Sequence, residues 1–317
     1  MTNRRRRVVS IHLQRLLLVL AWCAATASTY ESCTYCPQYP TEEALRRFRD
    51  SIDNVYAGQE DAVAAISRVL THNIVANSGN PSAAGGGGAV LKARPLLLHF
   101  TGPTGVGKTL MSTIVQNALF VTDCGVLKLQ LDISYRLTSR DGKKERTDAM
   151  KRALVRQLDR CPRSLIIFDD FQFAPEIMIL ALREAFDEDY HAGYTLSHRD
   201  YRVSTRHAIF IFCSDLEGEQ RHLSVDMTMA RARAKVSELA GEQWKNVDQS
   251  SSFGKLFVSG GMVPFVPLSE SELRKVIRME ISKLTPRVER WLQFNANNHT
   301  VAHTWLGESV RQEAVTD

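Results

Sequence analysis

The chain has 317 residues, of which 44% are hydrophobic and 24% are charged, and its formal net charge is +5 at pH 7. This composition excludes a disordered or fibrous protein, and the length allows one large domain and a smaller one. Four of the five excess charges come from Arg4 to Arg7, so the rest of the chain is nearly neutral and no nucleic-acid partner is expected.

The N-terminus has the pattern of a secretory signal peptide. The four arginines precede the apolar run LLLVLAWCAATAS at residues 16–28, and Ala25 and Ala27 form a small-x-small cleavage site. The alternative is a membrane anchor, but a helix that crosses a bilayer needs roughly 20 apolar residues, more than this run supplies. We therefore expect residues 1–27 to be removed, which leaves a luminal or secreted protein.

Residues 28–40 form an arm that contains the motif CTYC, with Cys33 and Cys36. In an oxidising compartment these cysteines can pair with each other or with a distant partner. A zinc site would need two more ligands at close spacing, and none is near in sequence. Catalytic redox chemistry is a further interpretation, which predicts reactive thiols at both positions.

Beyond the arm, hydrophobic periodicity predicts helices and strands in alternation. Two helices come first, at residues 40–55, with Thr41 as N-cap, and at 60–76, before a loop rich in glycine and serine at 77–90. Strands are predicted at 94–102, 125–133, 165–170 and 207–215, and further helices at 108–120, 143–160, 175–189 and 269–284. This alternation predicts an α/β fold with a parallel sheet that is covered on both faces.

The segment GPTGVGKT, from Gly102 to Thr109, fits the phosphate-loop pattern G-x-x-x-x-G-K-[ST] and lies between a predicted strand and a predicted helix. The glycines let backbone N–H groups approach phosphate oxygens, and the helix presents its positive end to the anion. Lys108 is expected to reach the β- and γ-phosphates of ATP, and the Thr109 hydroxyl to bind Mg²⁺. The residues predicted to bind the nucleotide here are Gly102, Pro103, Thr104, Gly105, Val106, Gly107, Lys108, Thr109 and Leu110.

Two further strands end in polar residues. The strand LIIFDD ends in Asp169 and Asp170, and AIFIFCSD ends in Ser214 and Asp215. Because the carboxyl ends of parallel strands meet at one edge of a sheet, we expect Asp169 to hold Mg²⁺ together with Thr109. Asp170 is then the candidate that orients the attacking water, and its alternative role is N-cap of the next segment. Asp215 is the candidate that senses the γ-phosphate.

With these elements in this order, the chain resembles the AAA+ ATPases of the Clp group, and within that group the torsins of the endoplasmic-reticulum lumen. The resemblance covers roughly residues 41–284 and is carried by VYAGQ at 55–59, GPTGVGKT, IIFDD, FIFCSD, and VPFVPLSESELRKVIRMEISK at 263–283. It implies an αβα nucleotide-binding domain at 41–262, with Tyr56 bordering the adenine, and a small helical domain and tail at 263–317.

The resemblance also implies a homo-oligomer, as a ring or filament, that remodels protein clients or membranes in the endoplasmic reticulum and nuclear envelope. It further implies a luminal activator domain of a membrane protein, which supplies an arginine. Within this chain, Arg221, Arg231 and Arg233 either reach a neighbouring subunit's phosphate or form a solvated helix face. Tyr135 is either a central-pore aromatic or an ordinary packed tyrosine.

The chain departs from the family at its acids. The family usually has Asp-Glu where this chain has Asp169-Asp170, and the shorter side chain withdraws the carboxylate by roughly 1.5 Å. A displacement near 1 Å can lower a rate about a hundredfold. Where the family usually has Asn, Asp215 directs a negative charge toward the phosphate, and the torsin Gly-Cys-Lys is absent. We therefore expect a slow, chaperone-like ATPase, and the alternative is a nucleotide-dependent binding module or scaffold without useful hydrolysis.

Overall fold

The computed structural model describes residue 36 and residues 42–77, 93–188, 193–216, 223–247, 249 and 251–296. The predictions for the signal peptide, Cys33, the Thr41 cap, the loop after residue 77 and Arg221 lie outside the described residues. Within the described part of the chain, no helix is both long and apolar enough to span a bilayer.

The helices of the described part are α1 (Glu42–Val55), α2 (Glu60–Asn77), α3 (Lys108–Leu119), α4 (Ser134–Leu137), α5 (Arg140–Arg160), α6 (Glu176–Leu182), α7 (Met229–Gln243), α8 (Ser252–Lys255) and α9 (Glu270–Ala296). The strands are β1 (Leu96–Gly102), β2 (Val126–Gln130), β3 (Leu165–Asp169), β4 (Thr195–His198), β5 (Tyr201–Ser204), β6 (Ile209–Asp215) and β7 (Met262–Pro264). The predicted order of alternating strands and helices is confirmed.

Five strands form a parallel sheet in the order β2-β3-β6-β1-β7. The register of β1 and β6 runs from Leu96 opposite Ile209 to Gly102 opposite Asp215. The start of the phosphate loop therefore lies beside the polar end of β6. The outer strand β7 was not predicted, because its three residues are too few to show a periodicity.

Alternate side chains of the central strands pack into two cores, one on each face of the sheet. On one face, Phe168 and Phe212 stack with ring centroids 4.9 Å apart and pack with residues of α5, α6 and α7. On the other face, Ile167 and Ile211 pack with residues of α1, α2 and α3. The predicted α/β fold, with a parallel sheet between two helical layers, is confirmed, and this burial explains why the strands are continuously apolar.

The helix predicted at 175–189 is shorter than expected. It ends at Leu182 and is followed by a 3₁₀ turn at Arg183–Ala185, while Pro175 precedes its first residue. In that turn the buried Glu184 carboxylate accepts a hydrogen bond from the Ser197 hydroxyl at 2.7 Å and pairs with Lys151 at 2.6 Å. Ser197 belongs to an unpredicted antiparallel hairpin of β4 and β5, so tertiary contacts determine where this helix ends.

The helix predicted at 269–284 extends further, to Ala296, and passes through Pro286. Its N-terminus has the predicted capping box, in which the Glu272 N–H donates to the Ser269 hydroxyl at 3.2 Å and the Ser269 N–H donates to the Glu272 carboxylate at 2.7 Å. The domain boundary between residues 262 and 263 stays a prediction, and β7 spans it.

Cysteine pairing connects the arm to the end of α5. Cys36 forms a disulfide with Cys161, the residue that follows α5, and Cys124 is also disulfide-bonded. Of the two alternatives left open for Cys36, pairing with a distant partner is confirmed. The redox interpretation predicts a reactive thiol at Cys36, and this prediction is therefore wrong.

Candidate nucleotide-binding site

The phosphate loop connects β1 to α3, as predicted, and two of its glycines allow close backbone approaches. Gly102 has φ +155°, and a Cβ at this position would lie 2.2 Å from the Phe265 carbonyl oxygen. Gly107 has φ +98°, and a Cβ there would lie 2.7 Å from the Tyr56 hydroxyl. Any larger residue would displace the loop from Phe265, which follows β7, or from Tyr56.

Lys108, at the start of α3, lies folded into the loop. Its side chain is 7% exposed and donates to the carbonyl oxygens of Gly102 at 3.0 Å and Pro103 at 2.5 Å. The ammonium also pairs with Asp215 Oδ1 at 2.5 Å, and the other oxygen of that carboxylate accepts a hydrogen bond from the Thr104 hydroxyl. The structure therefore brings the predicted phosphate-binding lysine and the predicted sensor into direct contact.

The predicted metal-binding residues also meet. The Thr109 hydroxyl donates to Asp169 Oδ1 at 2.9 Å, and Asp169 is 4% exposed at the end of β3. A hydroxyl and a carboxylate directed at one point are a donor set that Mg²⁺ accepts, so these residues fit the expected ion. The second oxygen of Asp169 lies 3.2 Å from Lys128 Nζ, a contact that the sequence analysis missed. The alternation of apolar and polar residues in β2 predicts a strand, but it does not show which of the polar side chains contacts a site residue.

Asp170 lies immediately beyond β3 in a left-handed backbone conformation, with φ +55°. Its carboxylate accepts hydrogen bonds from Gln130 Nε2 at 2.5 Å and from Gln172 Nε2 at 3.2 Å. It makes no side-chain capping hydrogen bond to the turn at Phe171–Phe173, which removes the support for its alternative role as N-cap. The Gln172 side chain also accepts from the Asp215 N–H at 3.1 Å, so one amide connects Asp170 and Asp215.

Tyr56 and Gln59 connect the segment before the phosphate loop to the loop itself and to the segment after β7. Tyr56 is buried, its hydroxyl lies 3.5 Å from the Gly107 carbonyl oxygen, and burial raises its pKa. The Gln59 amide donates to the Val266 carbonyl at 2.5 Å and accepts from the Val266 N–H at 3.0 Å. These contacts hold the predicted adenine-bordering segment against the phosphate loop through Tyr56 and against the segment after β7 through Gln59.

A buried histidine supports the end of β6 and was not singled out from the sequence. His99 Nδ1 lies 3.0 Å from the Phe257 carbonyl oxygen, and Nε2 lies 2.8 Å from the Ser214 hydroxyl oxygen. A carbonyl accepts only, so Nδ1 carries the proton and Ser214 donates to Nε2. Burial lowers the pKa of His99 to about 4, so the ring is neutral at pH 7.

The remaining candidates lie apart from this cluster. Arg231 and Arg233 are exposed on α7. This exposure favours the alternative in which they form a solvated helix face. Tyr135 packs against the core and lies under the Arg146 guanidinium, 4.3 Å from the ring centroid. This environment favours an ordinary packed tyrosine over a pore aromatic.

Comparisons with known proteins find distant relatives of the chain. No protein-family model matches the chain. It is 23% identical over 259 residues to the ATP-dependent Clp protease ATP-binding subunit ClpC of Staphylococcus saprophyticus, covering 78% of this chain and 29% of that relative. It is also 23% identical over 258 residues to the chaperone protein ClpB of Chlamydia trachomatis, covering 78% of this chain and 27% of that relative.

Among solved structures, the fold is similar to the Saccharomyces cerevisiae Hsp104–ADP complex, with a TM-score of 0.51, 19% identity and coverage of 78% of this chain and 40% of that chain. The chain spans less than a third of the length of the two Clp relatives. It therefore has an Hsp104-like AAA+ fold and is a distant homologue of the Clp chaperone ATPases.

Proposed function

We propose that the chain binds Mg–ATP at the phosphate loop and hydrolyses it slowly, as a torsin-like AAA+ ATPase with a chaperone-like role. The observation that carries this proposal is the contact of the Thr109 hydroxyl with Asp169, 2.9 Å apart, beside Lys108 at the carboxyl edge of the sheet. A structural role alone does not explain a buried lysine, a hydroxyl and a buried carboxylate that converge on a glycine loop at the start of a helix.

Each residue has a defined part in this proposal. The loop N–H groups and Lys108 bind the phosphates, and Mg²⁺, held by Thr109 and Asp169, would neutralise charge on the phosphate oxygens. Asp170 is the candidate that accepts a hydrogen bond from the attacking water. Because Gln130 and Gln172 already hydrogen-bond to its carboxylate, fewer lone pairs remain for water, which supports slow hydrolysis.

The test measures Mg²⁺-dependent ATP affinity and single-turnover hydrolysis on the purified chain. We expect Lys108→Ala to weaken ATP binding at least about tenfold, because it removes a buried charge from the phosphates. Lys144→Ala, which removes an exposed lysine on α5, is the matched control and should leave affinity unchanged. Equal ATP affinity for the chain and Lys108→Ala would contradict the site assignment.

A second candidate function is a nucleotide-dependent binding module that does not turn over ATP. The pair of Lys108 and Asp215 favours it, because a carboxylate bonds to the lysine that should contact the γ-phosphate. The double variant Asp170→Glu with Asp215→Asn restores the residues usual in the resembled family. A large gain in turnover would identify the natural site as degenerate, and unchanged turnover would count against this second function.

The location and partners belong to the same proposal. The torsin resemblance supports the endoplasmic-reticulum lumen and nuclear envelope, a ring or filament of identical chains, protein clients and a luminal activator. The disulfide of Cys36 and Cys161 agrees with an oxidising compartment. Protease protection of the expressed protein in microsomes tests the location, and sedimentation with and without ATP tests assembly. Cleavage of the protein in intact microsomes would contradict a luminal location.

A further inference from the structure

A groove with a volume of about 660 Å³ adjoins the nucleotide site. It is formed by α4, the first turn of α5, the beginning of α6 and the turn that follows α7. Gln172, which hydrogen-bonds to Asp170, lines part of it. We call this feature the basic groove, and its defining cations are Arg136, Arg140, Lys143 and Lys245.

The charges of the basic groove are unbalanced. Its lining contains the four cations and one carboxylate, Glu176, whose oxygen accepts a hydrogen bond from Asn246 at 3.0 Å. Within the described residues, none of the four cations forms an ion pair or hydrogen bond through its side chain. Their charge is therefore available to a ligand.

The position of two cations is electrostatically unfavourable for the helix that carries them. Arg140 and Lys143 lie in the first turn of α5, where the helix already carries a partial positive charge. Asp141 is the acidic residue of that turn, so it offsets only part of the repulsion between the two cations and the helix N-terminus. An anionic ligand in the groove would relieve this repulsion, which is an electrostatic reason for cations at this end of the helix.

Part of the lining of the groove is apolar. Ile177 and Leu180 lie three residues apart on α6, face the same side, and are 41% and 45% exposed. Trp244, which follows α7, is buried beside them. Apolar side chains and cations that line one concave surface can accept the side chains of an amphipathic ligand together with its charges.

We propose that the basic groove binds an acidic, amphipathic polypeptide segment. Leucine-like side chains of this segment contact Ile177, Leu180 and Trp244, and its carboxylates pair with the cations around them. A nucleic acid would leave the apolar lining uncovered, and a concave surface fits a peptide better than a flat membrane, so a peptide satisfies both features of the surface.

The test uses a fluorescein-labelled helical peptide of about 16 residues, with leucines at i, i+3, i+4 and i+7 spacing and glutamates elsewhere. Fluorescence anisotropy measures its binding to the full chain without added nucleotide, at low and high salt. We expect a Kd on the order of 10 µM, weakening with salt, and weaker binding by at least about tenfold when glutamine replaces glutamate in the peptide. A lysine version should not bind.

Paired variants separate the groove from total charge. Arg140→Glu with Lys143→Glu should weaken binding at least about tenfold, whereas Arg152→Glu with Arg156→Glu, an equal charge change on exposed positions further along α5, should change it less than about threefold. Ile177→Ser, at a partly exposed position, should weaken binding about threefold or more. Thermal melts confirm that each variant is folded.

Several outcomes would overturn the proposal. They are equal binding of the acidic and lysine peptides, equal losses in the two double variants, or no binding at the highest peptide concentration. Binding of an RNA oligonucleotide or of anionic vesicles through Arg140 and Lys143, with no binding of the acidic peptide, would assign the groove to a different class of partner.

Discussion

Replacing Asp215 by asparagine should shift the preference of the site toward ATP over ADP. The Asp215 carboxylate lies 2.5 Å from Lys108 Nζ, and the two side chains are 13% and 7% exposed. An incoming γ-phosphate would compete with this carboxylate for Lys108 and would also repel it. Asparagine keeps the size and the capacity to accept from Thr104 but removes the charge.

The magnitude follows from the burial of the pair. Two unit charges about 4 Å apart interact by about 4 kcal/mol at an effective dielectric constant of 20, which suits sites near a protein surface. Mg²⁺ on the phosphates offsets part of this repulsion, so we expect a net gain of about 1–3 kcal/mol, or roughly five- to 150-fold in ATP affinity. ADP lacks the γ-phosphate and should gain less.

Isothermal titration with Mg–ATP and Mg–ADP measures the ratio of the two dissociation constants for the chain, Asp215→Asn and the control Asp141→Asn, an exposed acid on α5. We expect Asp215→Asn to change the ratio at least about fivefold in favour of ATP and the control to leave it unchanged. Lys108 keeps its bonds to the Gly102 and Pro103 carbonyls, so the variant should fold. An unchanged ratio in a folded variant would refute the electrostatic reasoning.

Three further predictions concern stability. The pKa of His99 is about 4 in the folded chain, below its ordinary value of 6.5. The stability that the neutral ring contributes is therefore complete above pH 6.5 and is lost as the pH falls toward 4, by up to about 3 kcal/mol. Urea unfolding across this range should show a free energy of unfolding that depends less on pH for His99→Gln than for the wild-type chain. Cys161→Ala opens a disulfide between residues separated by 125 positions and should lower the free energy of unfolding by about 2–5 kcal/mol. A reducing agent, which also opens the disulfide of Cys124, should destabilise the unmodified chain by at least as much. Gln59→Ala leaves the partly buried backbone groups of Val266 without their protein partners, and we expect a fall in melting temperature that corresponds to about 1 kcal/mol. An unchanged melting temperature would contradict this prediction.

The parts of the site that could be predicted are those encoded by neighbouring residues. The phosphate loop, the strand that ends in Asp169, and the contact of Asp169 with Thr109 follow from a local motif and from the rule that parallel strand ends meet at one edge. The contacts of Gln59 with Val266 and of His99 with Ser214 could not be predicted, because they join residues 207 and 115 positions apart. Pattern analysis shows that such residues are polar but gives no partner for them.

The same distinction applies to the fold. The buried strands were found because both of their faces are apolar, whereas β7 and the β4–β5 hairpin were missed, since β7 has three residues and each hairpin strand has four. The end of α6 was misplaced because Glu184, a good helix former, is held instead by Lys151 and Ser197. In these places tertiary contacts outweigh the local preference of the sequence.

Both lysines of the site are paired with acids, so nucleotide binding must break or rearrange these ion pairs. Lys108 pairs with Asp215, and Lys128 pairs with Asp169, the acid expected to hold Mg²⁺. Phosphate and metal binding would therefore break the ion pairs that Lys108 and Lys128 form within the chain. Much of the Coulomb attraction gained by binding would replace the attraction lost from these pairs. Metal and nucleotide should consequently bind better together than separately, since the cation compensates Asp169 and Asp215 while the phosphates compensate Lys108 and Lys128. Slow or activator-dependent hydrolysis is compatible with this rearrangement. A partner that favours the state in which phosphate and metal have replaced the internal ion pairs would raise the population of chains able to hydrolyse ATP.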